Sequence, residues 1–102
     1  MQPMPKVLLQ ISYDIDPKKR EEYLALVKEM MIHFRQMRKK NYTVYEQKGK
    51  KNSFMEEFLC ASMEEYEGLE DDLDEKSEEL VNRLEVILKE GKAKYTTLSE
   101  IA

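Results

Sequence analysis

The spacing of the apolar residues changes along the chain, and this change limits the possible folds more than any other feature. Residues 6–13 (KVLLQISY) alternate between two faces, which predicts a β-strand. Asp16 and Pro17 then supply an N-cap and a first helical position. Beyond them the apolar residues recur at steps of three and four, so we predict an amphipathic helix over residues 17–39 that stops near Asn41.

The middle of the chain predicts a β-hairpin. Residues 42–47 (YTVYEQ) and 53–61 (SFMEEFLCA) are rich in strand-forming residues, and they flank the polar, glycine-containing loop 48–52. Both faces of the second strand are partly apolar, and each face carries one carboxylate. A sheet with two such faces is expected to be covered on both sides.

The last forty residues predict a broken helix and a final strand. Ser62 and Glu65 form a capping box. The inward residues of the helix that follows are Tyr66, Leu69 and Leu73. This stripe then fails, and a second stripe begins after Asp74, so the pattern indicates either two helices or one kinked helix. Gly91 is expected to end the second piece as a C′ glycine, and residues 94–101 to form the last strand.

The resulting order, β-α-β-β-α(α)-β, is the ferredoxin-like α+β plan: a four-stranded antiparallel sheet with helices on one face. Residues 1–102 read as one domain. Hydrophobic residues make up 41% and charged residues 37% of the chain, which excludes a membrane protein and general disorder. The apolar positions on the uncovered face predict a homodimer that forms through the sheet faces.

Charge and cysteine content restrict the partners and the compartment. The net charge of −4 divides into +4 over residues 1–62 and −8 over residues 63–102, and the overall acidity argues against nucleic-acid binding. No apolar run is long enough to span a bilayer, and the N-terminus lacks the plan of a signal peptide. With Cys60 as the single cysteine, we expect a cytoplasmic protein without a membrane partner.

These features resemble the dimeric α+β barrel superfamily, in particular antibiotic-biosynthesis-monooxygenase-like domains. The matching segments are Tyr13-Asp14-Ile15-Asp16-Pro17, the helix KKREEYLALVKEMM, YTVYEQ and the strand that leads into Ser62-Met63-Glu64-Glu65-Tyr66. The resemblance implies a homodimer with facing sheets and a small-molecule cavity between sheet and helices in each subunit. Members of this superfamily include cofactor-free oxygenases that act on aromatic polyketides or quinols.

The resemblance does not extend to the haem-degrading branch of the superfamily. That branch uses a Trp and a His ligand, whereas this chain has no Trp and its one His lies in the first helix. Where members often carry a His after the capping box, this chain has Glu70, Asp71 and Asp72. We therefore expect neither a bound cofactor nor a metal, and we place the candidate catalytic residues at Tyr13, His33, Tyr45 and Glu57.

Each candidate residue also has a plain structural explanation. His33 is a base or ligand beside a cavity, or a histidine on the flank of a helix without a role. The tyrosines form a wall for an aromatic ligand, or they are ordinary core and interface residues. A strand carboxylate turned inward is a general base with a raised pKa, or it pairs with a cation; the candidates are Glu46, Glu56 and Glu57.

Three further features favour structural explanations. The acidic run 64–79 lacks the pattern of an EF-hand and is expected to be a solvated helix face. The segment Lys48-Gly49-Lys50-Lys51 lacks the context of a P-loop and reads as a charged hairpin tip. Cys60 is expected to be a small buried group rather than a nucleophile.

Three functions are compatible with this sequence. The first is a homodimer that binds, and oxidises, a small aromatic molecule without a cofactor. The second is a non-enzymatic ligand-sensing or protein-interaction domain that acts as a dimer. The third, an RNA-binding module, is disfavoured because Phe54 and Phe58 have the wrong spacing for it, and because Glu56 and Glu57 would repel phosphate.

Overall fold

The predicted order of strands and helices is present in the structure, a computed structural model that describes residues 5–71 and 74–101. The elements in chain order are β1 (Val7–Ile15), a 3₁₀ turn (Pro17–Lys19), α1 (Arg20–Met31), a π-helical segment (Ile32–Met37), β2 (Asn41–Glu46), β3 (Ser53–Cys60), α2 (Met63–Asp71), α3 (Glu75–Ile87) and β4 (Leu88–Ser99). The sheet order is β2-β3-β1-β4, and all neighbours are antiparallel. The predicted ferredoxin-like α+β fold is confirmed.

The first helical stretch has the predicted extent, but its geometry varies along its length. The Asp16 side chain accepts a hydrogen bond from the backbone N–H of Lys18 at 3.0 Å, and Pro17 is the first helical residue, as expected. The chain then passes through one 3₁₀ turn before α1 and through a π-helical segment after it. A π-helical segment has a wider turn than an α-helix. Within this segment the consecutive residues His33 and Phe34 are both buried.

The prediction that Asn41 stops this helix is wrong by two residues. Lys39 adopts a left-handed conformation with φ of 56°, and the N–H of Lys40 donates to the carbonyl of Phe34 at 2.8 Å. This bond satisfies a carbonyl of the last turn, as the six-to-one bond of a Schellman motif does, but it spans one residue more. Asn41 is already the first residue of β2.

The second helical region is split, as the sequence indicates. Ser62 accepts from the N–H of Glu65 at 3.2 Å, and the Glu65 carboxylate accepts from the N–H of Ala61, so the capping box begins α2. Asp74 caps α3 by accepting from the N–H of Ser77 at 2.8 Å. The inward placement predicted for Leu73 lies outside the described residues.

The prediction for Gly91 is wrong. Helix α3 ends at Ile87, and the chain becomes extended at Leu88, so β4 begins six residues earlier than predicted. Gly91 lies within β4, where it and Glu90 both have positive φ angles, of 64° and 58°. The left-handed conformation that favours glycine is therefore used for a bulge in a strand and not for a helix end.

The two faces of the sheet have different surroundings. The helices pack on the face that carries Tyr13 and Phe58, and the buried core lies between them. None of the described helices packs on the other face, and a cross-strand row of leucines lies on it: Leu59, Leu8 and Leu98. Leu59 and Leu98 are 37% and 46% exposed.

Ion pairs join α1 to α3 on the outside of the helix layer. The Arg83 guanidinium donates to both carboxylate oxygens of Glu29, at 2.5 and 3.1 Å. Lys76 lies 3.6 Å from Glu29, and both cations also approach Glu79. Part of the acidic run is thus paired at the surface, where each such pair contributes little to stability.

We predict that Leu80→Ala lowers the free energy of unfolding by roughly 2–5 kcal/mol, because the side chain of Leu80, on α3, is fully buried in the core. Chemical denaturation monitored by circular dichroism measures this change. Val81→Ala is the matched control, since the next residue on the helix is 37% exposed, and its cost should stay below about 1 kcal/mol. Equal costs for the two variants would contradict the orientation of α3.

Candidate functional site

The helix-facing side of the sheet buries a carboxyl group at its centre. Glu56 lies on β3 in a cross-strand row with Val44, Ile11 and Tyr95. Alternation along β3 gives Glu56 the same face as Phe54 and Phe58, and its side chain is 4% exposed. A carboxyl in such a position loses its hydration and needs hydrogen-bond partners from the protein.

Tyrosine hydroxyls supply those partners. The Tyr42 hydroxyl donates to Oε1 of Glu56 at 2.6 Å, and Tyr42 is itself fully buried. Burial raises the pKa of Glu56 above its usual value, while hydrogen bonds from the Tyr42 and Tyr13 hydroxyls act in the opposite direction and reduce the shift. Within the described part of the chain Glu56 forms no ion pair, so the tyrosines are what stabilises its charged form.

A second hydroxyl pair extends this cluster towards α1. The Tyr13 and Tyr23 hydroxyls are 2.8 Å apart, and their rings meet edge to face. Burial is the main cause that raises the pKa of Tyr13, Tyr23 and Tyr42 well above the usual value for a phenol. These phenols remain neutral and act as hydrogen-bond donors, which leaves Glu56 as the group of the cluster suited to accept a proton.

The helix layer covers the sheet unevenly. Over β2 and β3 the core is filled with large side chains, and Tyr42 contacts the rings of Phe34 and Phe58 with centroids 5.0 and 4.7 Å apart. Over β1 and β4 the cover is thinner, because Ile11 is only partly buried and Tyr95 is 66% exposed. The side of the sheet that is open to a ligand therefore lies next to Glu56 in the same cross-strand row.

The pKa of Tyr95 is raised, with partial burial as the largest cause and the negative charges of Glu56 and Glu85 as the others. The buried carboxyl therefore acts electrostatically on the exposed phenol two strands away. On the next row, the Tyr66 hydroxyl of α2 and Thr97 Oγ1 of β4 are 2.9 Å apart, which closes one end of this thinly covered region.

The other two strand carboxylates have different environments. Arg20 donates to both oxygens of Glu46, at 2.6 and 2.9 Å, and this bond lowers the pKa of Glu46 to about 2. Glu57 faces the opposite side of the sheet, where its carboxylate accepts from the Gln10 amide at 2.9 Å. Pairing with a cation thus describes Glu46, and its partner is Arg20.

The structure does not bring the four predicted site residues together. Tyr13 belongs to the Glu56 cluster, and His33 lies on the helix side of the sheet, near the start of the π-helical segment. Tyr45 and Glu57 lie on the opposite face of the sheet, and Tyr45 is 52% exposed. Their roles in catalysis remain predictions, and two of them are separated from the others by the thickness of the sheet.

His33 joins the π-helical segment to the start of α3. Its Nε2 lies 3.1 Å from Asp74 Oδ1 and also 3.1 Å from Ser77 Oγ, and Arg38 donates to the same Ser77 oxygen. A catalytic triad uses the two ring nitrogens for different partners, whereas here one nitrogen contacts both. Hydrogen bonds, chiefly those from Ser77, hold the pKa of Asp74 well below its usual range, so this cluster fixes the cap of α3.

Glu56 is one of three strand carboxylates in the sequence, and Glu57 is the one predicted from the sequence to be catalytic. Alternation along β3 puts Glu56 on the face of Phe54, Phe58 and Cys60 and Glu57 on the other face, but it does not show which face is buried. Cys60 has the buried position predicted for it, and burial raises the pKa of its thiol, which makes it a poor nucleophile.

Within the described ranges, no three His, Cys, Asp or Glu side chains converge in a way that could hold a metal ion. In the same residues, none of the helices combines the length and the apolarity that crossing a bilayer requires.

Comparison with solved structures identifies the class of fold. No protein-family model matches the chain, and no curated protein sequence matches it. Among solved structures, a conserved protein from Methanosarcina mazei has a TM-score of 0.79 at 12% identity, covering 93% of this chain and 92% of its own. The likeness extends over nearly the whole of both chains.

Two further structures connect this fold with named proteins. A NIPSNAP family protein from Agrobacterium tumefaciens has a TM-score of 0.73 at 17% identity and covers 96% of this chain and 88% of its own. SnoaB, a cofactor-independent oxygenase from Streptomyces nogalater, has a TM-score of 0.72 at 8% identity with 91% and 90% coverage. At these identities the likeness shows the fold alone, and it confirms the fold expected for an antibiotic-biosynthesis-monooxygenase-like domain.

The raised pKa of Glu56 predicts a specific dependence of stability on pH. The pKa of Glu56 is higher in the folded state than in the unfolded state, where it is near 4.5. Ionisation of Glu56 therefore lowers the free energy of unfolding as the pH rises above 4.5. Glu56→Gln removes this loss. The stability of the variant relative to the native protein should therefore increase as the pH rises above 4.5, as measured by urea denaturation.

Glu57→Gln is the matched control, because it changes the neighbouring residue on the opposite face of the sheet. It should keep the pH dependence of the native protein. A stability difference between Glu56→Gln and the native protein that does not change with pH would show that Glu56 ionises in the folded state as it does in the unfolded chain.

Proposed function

We propose that this protein is a cofactor-independent, monooxygenase-like protein that binds a small aromatic or quinol-type molecule, with Glu56 as the group that accepts a proton from it. The observation that carries the proposal is the buried Glu56 carboxyl, which lacks an ion-pair partner in the described residues and is held by the Tyr42 hydroxyl. Keeping such a group in a core is costly, which favours a chemical role for it.

The chemistry follows from the cluster. An aromatic substrate with an acidic C–H group, such as an anthrone, transfers a proton to the Glu56 carboxylate. The negative charge passes from Glu56 to the substrate, and the hydroxyls of Tyr13 and Tyr42 stabilise it. The electron-rich anion then reduces dioxygen directly. One oxygen atom replaces the two hydrogens of the reacting CH₂ group as a carbonyl, and the other leaves as water, so substrate and dioxygen supply all atoms and electrons.

The thinly covered region over β1 and β4 is where we place the substrate. Its floor includes the partly buried side chains of Leu9 and Ile11, and the exposed phenol of Tyr95 lies at its edge. An apolar floor with a few polar groups suits an aromatic ring that needs one or two hydrogen bonds. Ile11 of this floor is the direct cross-strand neighbour of Glu56.

We also propose a homodimer that forms through the helix-free face of the sheet, as the sequence suggests. The leucine row of Leu59, Leu8 and Leu98 supports it, since Leu59 and Leu98 expose apolar surface on neighbouring parts of one face. Tyr45 and Met55 add to this surface further along the sheet. Exposed apolar groups that share one face favour association. A cytoplasmic location, inferred from the single cysteine, is part of the same proposal.

A second candidate is a dimer that senses a ligand or binds another protein without catalysis. One observation favours it: large side chains fill the space over β2 and β3, with Tyr23 and Met30 fully buried and Phe34 nearly so. In that case Glu56 and Tyr42 form a satisfied polar contact within the core. Activity of the native protein distinguishes the two candidates.

We predict that the native protein consumes dioxygen in the presence of anthrones or hydroxylated naphthoquinones, and that Glu56→Gln reduces the rate at least about 100-fold, because it removes the proton acceptor. An oxygen electrode measures the uptake. Glu57→Gln is the control, and its rate should stay close to that of the native protein.

Two results would contradict this proposal in different ways. Oxygen uptake that survives in Glu56→Gln would remove Glu56 from the mechanism. Absence of uptake by the native protein, together with fluorescence quenching that shows saturable binding of the same compounds, would favour the ligand-sensing function.

The dimer makes a separate prediction. Replacing both Leu59 and Leu98 with Lys places charges in the leucine row, so this variant should sediment as a 12.2 kDa monomer while the native protein sediments as a dimer at micromolar concentration. Val86→Lys is the control, since Val86 is 70% exposed on α3, away from the sheet face, and should leave the dimer intact. A native protein that is already monomeric would exclude the proposed interface.

A further inference from the structure

An open groove lies at the end of the sheet and shares one residue, Tyr13, with the Glu56 cluster. Its volume is about 860 Å³, and it runs between the β2–β3 hairpin and the first half of β4. Four lysines line it: Lys50, Lys89, Lys92 and Lys94. Their side chains are exposed.

The bulge in β4 creates one wall of this groove. Tyr13 pairs with Ala93 and Ile15 pairs with Leu88, so the single residue Asp14 of β1 faces residues 89–92 of β4. Glu90 and Gly91 both have positive φ angles, which turn the chain out of the ladder. The bulge therefore projects two lysines from the sheet edge towards the hairpin tip, and bulges often shape binding sites in this way.

The charges in the groove do not cancel. Its acidic residues are Asp14 and Glu90, against four lysines. The Asp14 carboxylate is already engaged, because it accepts a hydrogen bond from Ser53 and lies 3.7 Å from Lys50. The groove therefore has a surplus of positive charge, although the net charge of the chain is −4. A concave surface with such a surplus concentrates anions.

We propose that this groove is a binding site for a small, multiply charged anion, either a phosphate ester or a polycarboxylate. Lys89 and Lys92 approach the ligand from the bulge, Lys94 from the adjoining strand, and Lys50 from the hairpin. The size of the groove suits a metabolite and is too small for a folded partner. The proposal does not depend on the oxygenase function, because the described lining of the groove does not include Glu56, Tyr42 or Tyr95 and shares only Tyr13 with the Glu56 cluster.

The aromatic floor of the groove links it to the rest of the core. Tyr13 and Phe54 lie side by side in one cross-strand pair, and both are about 5% exposed. They form a rigid base under flexible lysines, so the specificity of the site depends on charge and on the shape of the bulge. A ligand is expected to order residues 89–92 without moving the sheet.

Titration of the full chain with inorganic pyrophosphate and with citrate tests this proposal. Calorimetry should show saturable binding with a dissociation constant below about 1 mM for at least one of the two probes. Amide NMR shifts should concentrate at Gly91, Ala93 and Ser53. Preference for pyrophosphate assigns a phosphate ester, and preference for citrate assigns a polycarboxylate.

The test variant replaces Lys92 and Lys94 with Gln, and binding should weaken roughly tenfold, the combined effect of two exposed ion pairs. A matched control replaces Lys18 and Lys28 with Gln. These two exposed lysines lie at the 3₁₀ turn and on α1, and the change in net charge is the same. The control should bind as the native protein does.

Three results would overturn the proposal: no saturable binding of either probe, equal weakening in both double variants, or amide shifts spread over lysines of the whole surface. The second and third would mean that the protein attracts anions only through general electrostatics. Thermal unfolding of both double variants verifies that they remain folded, so that loss of binding is not loss of structure.

Discussion

The hydrogen bond between the Tyr42 hydroxyl and the Glu56 carboxyl is the interaction on which the interior of this protein depends. A carboxyl at the centre of a sheet face is unfavourable unless donors reach it, and the donors here come from β2, with Tyr13 of β1 nearby. The register of three strands must therefore be maintained together. A slip by one residue in β3 would expose Glu56 and bury Glu57 without a partner.

Much of the fold could be predicted from the sequence because local rules and tertiary packing agree in most segments. Asp16 and the Ser62 box cap the helices that they were predicted to cap, and Asp74 caps the helix predicted after it. The failures fall where the chain adopts left-handed residues outside the usual pattern. Lys39 ends the first helix although a lysine gives no such signal, and Gly91 forms a bulge because β4 pairs with β1 before the glycine is reached.

The candidate site was harder to predict, since it depends on which face of a strand turns inward. Alternation shows that Glu56 and Glu57 lie on opposite faces, yet both faces of β3 contain apolar residues, and only the packing of α1 and α3 decides between them. His33 illustrates the same limit. Its partners, Asp74 and Ser77, are about forty residues away and meet it only because α3 packs against the π-helical segment.

The bulge of β4 separates two parts of the strand that have different structural constraints. On one side, Leu88 completes the core beneath the helices, and on the other, Ala93 resumes the regular pairing with β1. Residues 89–92 have no counterpart in the ladder apart from Asp14, so a change in their number or identity leaves the register of both flanking segments intact. Related chains can therefore vary this short stretch in length and charge while they keep the sheet, which makes it a natural place for new binding preferences to arise.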